Sequence, residues 1–240
     1  MIALEPIGTL RTCFREKFGV PRQPRMARDA WGILKLGNDP RYIPALRRLE
    51  SFSHVWLIFV FHKTSQWHPI IDSPRLEAEE QIGVFASRSP HRPNPLGLSA
   101  VKLEKIDALA EGGPELHFSG VDILDGTPIL DIKPYLPYAD RVDDANAGWA
   151  DQPVKRYSVR YSPESLQTLN SLPSLKNLVE QLLEWDPRPT SQRQAAPFED
   201  PSSEGAHFAF RFLDWDIQWE IRSGTPYVQR LVPLASGTAE

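Results

Sequence analysis

Short apolar runs separated by polar, proline-rich stretches dominate the first 135 residues of the chain. Residues 55–61 are apolar at every position, which predicts a central strand that is covered on both faces. Six further runs have the length and composition of strands: residues 2–11, 31–36, 83–86, 98–106, 115–121 and 129–132. Only residues 40–50 indicate a helix among them. The predicted fold class is therefore mainly β, with a compact antiparallel β-barrel or sandwich favoured over alternating β-α-β units.

The pattern changes after about residue 150. Ser162 and Pro163 are typical of a helix N-cap and first helical position. A second helix shows one apolar face, formed by Leu175, Leu178, Val179, Leu182 and Leu183, and Pro187 predicts its end at Asp186. Residues 208–212 and 215–221 then alternate apolar and polar positions, as half-buried strands do. We therefore predict a barrel over residues 1–145 and a small α+β domain over residues 150–235, which either positions the substrate or buttresses the barrel.

Composition narrows the classes of function. The single cysteine, Cys13, excludes an intrachain disulfide and a cysteine-based metal site, and such a residue is more often a small buried apolar group than a nucleophile. The six histidines form no i, i+4 pair, so we expect no metal ion. The N-terminus lacks the features of a signal peptide, and the longest apolar run is too short to cross a bilayer. These features predict a cytoplasmic protein with no membrane partner.

Charge is distributed unevenly along the chain. The net charge of −4 is not that of a protein that is basic throughout, as many nucleic-acid binders are. The first thirty residues nevertheless hold six basic residues against three acidic ones. We expect a local basic face for RNA phosphates, formed by Arg11, Arg15, Lys17, Arg25 and Arg28 together with Arg92.

Residues 83–99 form the most unusual stretch, in which a short apolar run leads into a loop with two arginines, one asparagine and three prolines. A stiff backbone carrying planar guanidinium groups suits recognition of carboxylate or phosphate, although a rigid structural loop with solvated arginines has the same pattern. Residues 16–24 and 122–135 also concentrate polar groups near strand ends. His62, which follows the apolar run 55–61, fits a site residue and a structural rim residue equally well.

Together these segments resemble, in order and spacing, the TsaA-like family, which includes bacterial tRNA (adenine-N6)-methyltransferases. The matching stretches are residues 17–24, 52–56, 83–99, 122–128 and 131–135. The resemblance implies a β-barrel that binds S-adenosyl-L-methionine without a glycine-rich loop, and a homodimer. It also implies methylation of N6 of threonylcarbamoyladenosine, beside the anticodon in certain tRNAs. After residue 140 the resemblance is thinner, and Thr190-Ser191 replaces an expected small residue and aromatic.

Site residues follow from the matching positions. The resemblance implies a cofactor site made of Pro21, Arg22, Gln23, His62, Lys63, Arg88, Leu98, Asp122, Ile123, Leu124 and Asp125. A carbamoylated N6 is a poor nucleophile with a more acidic proton, so a nearby base would accelerate transfer by about 10²–10⁴-fold. Asp131 and Tyr135 are candidates for that base, and Arg92, Asn94 and Lys133 are candidates for holding the substrate. Alternatively, Asp131 caps a turn and Lys133 pairs with it.

Two other functions fit parts of the pattern. A non-catalytic barrel that binds S-adenosylmethionine or RNA explains the arginine-rich loops, but RNA binding alone leaves the carboxylates of residues 122–131 unused, since carboxylates repel phosphate. A hydrolase built on His62 or His91 with one of those aspartates lacks a recognisable nucleophile.

Overall fold

Six antiparallel strands close into a barrel in the N-terminal part of the chain, which confirms the predicted fold class. The computed structural model describes residues 3–72, 81–151 and 153–234. The first eight strands are β1 Gly8–Thr12, β2 Trp31–Leu36, β3 His54–Val60, β4 Ile70–Asp72, β5 Gln81–Gly83, β6 Leu96–Asp107, β7 Glu115–Ser119 and β8 Thr127–Pro134. The barrel order is β1-β2-β7-β6-β3-β8, and β8 pairs with β1 to close it. Strands β4 and β5 form a separate hairpin.

The barrel wall separates an inner from an outer face by simple alternation. In β3, Val55, Leu57 and Phe59 are buried, whereas Trp56 and Ile58 are only half-buried. Strand β3 is central, as predicted, but its outer face is not fully covered. The reason is that a closed barrel has one core, inside the wall, and an apolar outer position is covered only where another element packs on it.

Local deviations from the predicted elements have identifiable causes. The predicted strand over residues 83–86 is wrong, because Val84–Ala86 form a 3-10 turn after β5. The Arg92 side chain donates hydrogen bonds to the carbonyls of Val84 and Ser87, which holds this turn. The predicted helix over residues 40–50 is confirmed only as the short α1, Tyr42–Ala45, followed by a 3-10 turn at Leu49–Ser51. Of the predicted strand 2–11, residue 2 lies outside the described residues.

Three helices and a four-stranded sheet form the C-terminal part. After the short α2, Pro137–Asp140, come α3 Pro163–Asn170, α4 Pro173–Leu183 and α5 Thr190–Ala195. The strands are β9 Arg160–Tyr161, β10 His207–Phe212, β11 Trp215–Arg222 and β12 Thr225–Pro233, in the order β10-β11-β12-β9. The Ser162 side chain caps α3 by accepting a hydrogen bond from the Ser165 amide. None of the described helices has the length and hydrophobicity needed to span a membrane.

The β1–β2 loop, residues 13–30, joins the two parts of the molecule. Buried apolar residues of both parts form one continuous cluster, in which the Phe14 and Phe212 rings lie 5.8 Å apart. The indole of Trp185 donates to the Met26 carbonyl at 3.0 Å. Two further hydrogen bonds connect Gln181 with Asp29. The C-terminal part therefore contacts this loop directly through hydrogen bonds and apolar packing.

Candidate active site

Three loops converge at one end of the barrel. Strand pairing places Thr12 opposite Gly32, Trp31 opposite Ser119, Leu10 opposite Thr127 and Val60 opposite Leu96. The segments that leave these positions, residues 13–30, 61–95 and 120–126, must therefore meet at the same rim. Ten of the eleven predicted cofactor residues lie in these three loops. The eleventh, Leu98, lies in β6 close to that rim. We call this region the cleft.

A largely buried carboxylate, that of Asp122, lies in the cleft. The Ser99 hydroxyl donates to Asp122 Oδ1 at 2.6 Å, from the inner face of β6. Burial raises the pKa of Asp122 to about 6, against the opposing effects of the Ser99 hydrogen bond and the positive charge of Arg88. The Arg88 guanidinium in turn donates to Gln23 Oε1. The fold thus brings together three residues that are 34 or more positions apart in the chain: Gln23, Arg88 and Asp122.

The neighbouring turn, residues 122–126, is fixed by its own hydrogen bonds. Asp125 accepts from the Thr12 amide at 2.8 Å, and the Ile123 carbonyl accepts from the Thr12 hydroxyl at 2.9 Å. The Thr127 hydroxyl donates to the Leu124 carbonyl at 2.6 Å. Gly126 adopts a φ of 74°, a left-handed conformation that glycine reaches without strain. The Asp125 carboxylate and the carbonyls of Ile123 and Leu124 therefore hold the turn that carries Asp122.

His62 and Lys63 lie against this turn. The Nδ1 atom of His62 is 3.3 Å from the Thr127 hydroxyl, and Lys17 donates to the Lys63 carbonyl at 3.2 Å. Burial, followed by the positive charges of Lys63 and Lys17, lowers the pKa of His62 below its usual value, although Asp125 acts in the opposite direction. The imidazole is therefore neutral at physiological pH. The structure places His62 in the cleft.

Arg22 points out of the cleft towards the C-terminal part. Its guanidinium donates to the carbonyls of Asp186 and Arg188 at 2.8 and 3.0 Å, and burial lowers its pKa to about 10. Asp186 and Arg188 form a buried ion pair of their own, with distances of 2.7 and 2.9 Å. A structural role for residues 186–188 is not visible in the sequence, although the alternation of prolines there indicates a stiff loop. Arg22 thus holds the loop that carries its neighbours Pro21 and Gln23.

The predicted substrate-holding residues divide into two groups. Arg92 donates to the carbonyls of Val84 and Ser87 at 3.0 and 2.7 Å, so one of its nitrogens shapes the loop that precedes it. Asn94 is exposed on the same loop, near the start of β6. Lys133 lies elsewhere, on β8, where it forms an ion pair with Asp131 at 2.9 Å. That pair was the alternative expected for these two residues.

The candidate bases lie outside the cleft of their own chain. Asp131 is paired with Ile58 across β3 and β8, and Tyr135 packs on Trp56 with ring centroids 5.6 Å apart. Both residues lie on the outer wall of the barrel: Asp131 is part-way along β8, and Tyr135 follows β8 at the end opposite the cleft, where its amide donates to the His54 carbonyl. Leu98, which is 55% exposed, lies on the same outer wall beside Ile58. Within one chain the geometry does not bring Asp131 or Tyr135 to Asp122, so their role as base stays a prediction.

Metal and thiol chemistry have no support in the described part of the chain. Residues 3–72, 81–151 and 153–234 hold no group of three histidine, cysteine or carboxylate side chains placed to bind a metal ion. Cys13 is fully buried, and burial raises the pKa of its thiol to about 12. Such a thiol is not a nucleophile at neutral pH. It packs as a small apolar group.

Both parts of the chain match domains of one known protein family. The sequence model of the tRNA-methyltransferase O N-terminal domain matches residues 9–141, and that of the TrmO C-terminal domain matches residues 154–234. A Pseudomonas aeruginosa protein named "Putative S-adenosylmethionine-dependent methyltransferase RcsF" is 39% identical over 242 residues, covering 98% of each chain. A tRNA (adenine(37)-N6)-methyltransferase from Escherichia coli is 37% identical, covering 90% of this chain and 92% of that protein. The crystal structure of TrmO from Pseudomonas aeruginosa superposes with a TM-score of 0.74 and 38% identity, over 97% of both chains.

Proposed function

Because the chain belongs to the tRNA-methyltransferase O family, we propose that it transfers a methyl group from S-adenosylmethionine to N6 of adenosine 37 in tRNA. The observation that carries this proposal is the convergence of ten predicted cofactor residues at one rim of the barrel. Relatives named for this reaction at 37–48% identity support it. We place this activity in the cytoplasm, where tRNA substrates are found, and we take threonylcarbamoyladenosine as the nucleoside that is modified.

The residues of the cleft fit a cofactor that is cationic and rich in hydrogen-bond donors. S-adenosylmethionine, when bound, supplies a methyl group activated by a sulfonium. Asp122 is suited to hold it, because the carboxylate is largely buried and, among the described residues, only its Oδ1 accepts a side-chain hydrogen bond, from Ser99. A neutral His62 adds no second positive charge next to a cation. Arg88 and Gln23 fix one side of the cleft through their mutual hydrogen bond.

Orientation is the contribution that such a rigid site makes to methyl transfer. The attacking nitrogen must lie in line with the bond that breaks, and holding two reactants in that geometry supplies roughly 7–11 kcal/mol of the barrier. The loops that form the cleft are well suited to this task, since hydrogen bonds fix residues 122–127 to β1 and the C-terminal part fixes residues 13–30.

Two measurements test the proposal and separate it from a non-catalytic binding module. Calorimetry measures whether the purified protein binds S-adenosylmethionine. Incubation with methyl-labelled S-adenosylmethionine and tRNA then measures whether label is transferred to the RNA. We expect both binding and transfer. Binding without transfer would instead identify the chain as a sensing or binding module.

The basic residues around the first loop are proposed to attract tRNA by charge. Arg11, Arg25 and Arg28 are exposed, and no ion pair joins them to a carboxylate among the described residues. Arg15 contacts Asp214 at 3.4 Å, and both side chains are largely exposed, so the pair is weak and separable. A net charge of −4 therefore does not prevent one basic face.

Reversing the charge of Arg25 is expected to weaken tRNA binding and to flatten its dependence on salt. Each phosphate contact releases a condensed counterion, so the loss of one contact lowers the slope of log affinity against log salt by about one unit. Filter binding between low and moderate salt measures this slope for Arg25→Glu. The control is Arg47→Glu, an exposed arginine next to α1 at the opposite end of the barrel. Wild-type binding that does not depend on salt would contradict the prediction.

We also propose that two copies pair through the outer wall of the barrel. Leu96 and Leu98 are 41% and 55% exposed there, beside Trp56 and Ile58, and exposed apolar patches mark association surfaces. Pairing would cover this wall and place Asp131 at the interface. Sedimentation is expected to show twice the chain mass of 27.2 kDa, and Leu98→Glu is expected to give monomers. A monomeric wild-type protein would rule this arrangement out.

A further inference from the structure

Phe85 is an aromatic side chain exposed beside the cleft. It is 77% exposed, although its neighbour Val84 is 2% exposed. It lies in the 3-10 turn Val84–Ala86, three residues before Arg88. A phenylalanine ring gains free energy by leaving water, so one held in solvent at the edge of a site is ready to pack on a ligand.

The turn that carries Phe85 is braced from three directions. Arg92 donates to the carbonyls of Val84 and Ser87 at 3.0 and 2.7 Å. The indole of Trp149, in the segment that leads to the C-terminal part, donates to the Ala86 carbonyl at 2.9 Å. The Val84 amide donates to the Pro69 carbonyl at 2.9 Å. The ring is therefore presented on a fixed backbone, which lowers the entropy lost when a partner stacks on it.

The chemistry around the ring indicates what that partner is. The Arg92 guanidinium lies 5.9 Å from the centre of the Phe85 ring, and Arg88 connects the same loop to the cleft. An aromatic face with a neighbouring guanidinium fits a flat base joined to a phosphate, the combination found in single-stranded nucleic acid. A second copy of this chain fits less well, because the arginines would repel their own copies.

We infer that Phe85 is a stacking platform for an unstacked base of the tRNA anticodon loop. This inference rests on the proposed function and names a positioning residue for its RNA substrate. An adenosine that is to be modified must leave the stack of its neighbours, and an exposed aromatic ring offsets the stacking that is lost. The ring would hold the loop in place while the target adenosine occupies the cleft.

The test is a series of substitutions at Phe85, measured by filter binding of tRNA. We expect Phe85→Ala to weaken tRNA affinity about tenfold, Phe85→Leu to weaken it similarly, and Phe85→Trp to retain it, because only an aromatic face stacks on a base. The matched control is Leu109→Ala, since Leu109 is 89% exposed in the β6–β7 turn at the opposite end of the barrel. In a methylation assay, Phe85→Ala should raise KM for tRNA and leave kcat unchanged.

The outcomes separate this inference from other roles of Phe85. Normal tRNA affinity in Phe85→Ala would overturn it. Normal affinity in Phe85→Leu would also overturn it, because it would show general apolar docking instead of stacking. An equal loss of S-adenosylmethionine affinity in Phe85→Ala would show that the ring shapes the Arg88 loop. Wild-type protein that binds tRNA but transfers no methyl group would refute the proposed function alone, since the binding series still decides the role of Phe85.

Discussion

Replacing Arg88 by alanine is expected to lower S-adenosylmethionine affinity about 100-fold and to leave the melting temperature close to that of the wild type. The Arg88 guanidinium is exposed and donates a hydrogen bond to Gln23. Its positive charge also lowers the pKa of Asp122, against the larger effect of burial. S-adenosylmethionine carries a methionine carboxylate besides its sulfonium, and a guanidinium can hydrogen-bond that carboxylate. Hydrogen bonds to charged groups contribute about 1.5–3 kcal/mol, which corresponds to roughly 10- to 150-fold in binding. No apolar core depends on this side chain, so stability should change by less than about 0.5 kcal/mol.

Calorimetry and thermal unfolding on the same preparations provide the measurement for Arg88→Ala. Arg47→Ala is the matched control, because Arg47 is also exposed but lies near α1 at the far end of the barrel. The control should bind and unfold like the wild type. A large loss of stability with near-normal cofactor affinity would show that Arg88 belongs to the fold and not to the site.

Substituting asparagine for Asp122 is expected to stabilise the protein and weaken cofactor binding at the same time. The pKa of Asp122 in the folded state is raised to about 6, so the folded chain holds this proton more tightly than the unfolded chain does. Ionised Asp122 therefore costs stability at pH 7, by up to about 3 kcal/mol. Removing the charge should recover about 1–2 kcal/mol, because the buried amide of the asparagine needs a partner of its own.

The stability gain of Asp122→Asn and the cofactor affinity of the wild type should both depend on pH. Below about pH 6 the folded wild type takes up a proton at Asp122, so its stability cost declines as the pH falls and is gone near pH 4, and the advantage of Asp122→Asn should shrink over that range. The affinity of the wild type for S-adenosylmethionine should fall over the same range, because the protonated carboxyl no longer attracts a cation. The variant should bind about 10- to 100-fold more weakly at pH 7.5, with a flatter pH profile.

Glu111→Gln is the control for Asp122→Asn, since Glu111 is an exposed carboxylate at the opposite end of the barrel. Denaturant unfolding and calorimetry at several pH values follow the two effects separately. A destabilised Asp122→Asn protein with unchanged cofactor affinity would mean that the Asp122 carboxylate serves the fold.

Much of the fold could be predicted because its signals are local. Short apolar runs between proline-rich stretches gave the barrel strands, and the alternation over residues 215–221 matches β11, Trp215–Arg222. The failure at residues 83–86 arises because a short apolar run fits a strand and a 3-10 turn equally well, and hydrogen bonds from the Arg92 side chain stabilise the turn.

In the site, too, residues in local motifs could be predicted from the sequence, whereas contacts between distant segments could not. Loop residues such as Arg88 and Asp122 stood out in the sequence through their motifs, and barrel closure brings them together. The hydrogen-bond acceptors of Arg22 could not be predicted from the sequence, because these carbonyls lie 164 and 166 residues away along the chain. Asp131 was grouped with the cleft because it follows residues 122–128 closely in sequence, yet β8 carries it down the outer wall. Periodicity identifies faces and elements, but it does not identify which distant groups meet.

Mass analysis of tRNA nucleosides shows directly whether the protein methylates N6 of adenosine 37. Threonylcarbamoylated tRNA and its unmodified counterpart are incubated with S-adenosylmethionine and with either the wild type or Arg88→Ala, then digested to nucleosides. We expect one added methyl group on N6 of threonylcarbamoyladenosine at position 37 with the wild type, and little product with Arg88→Ala. The absence of any methylated adenosine in wild-type reactions, under conditions where calorimetry shows bound S-adenosylmethionine, would contradict this expectation.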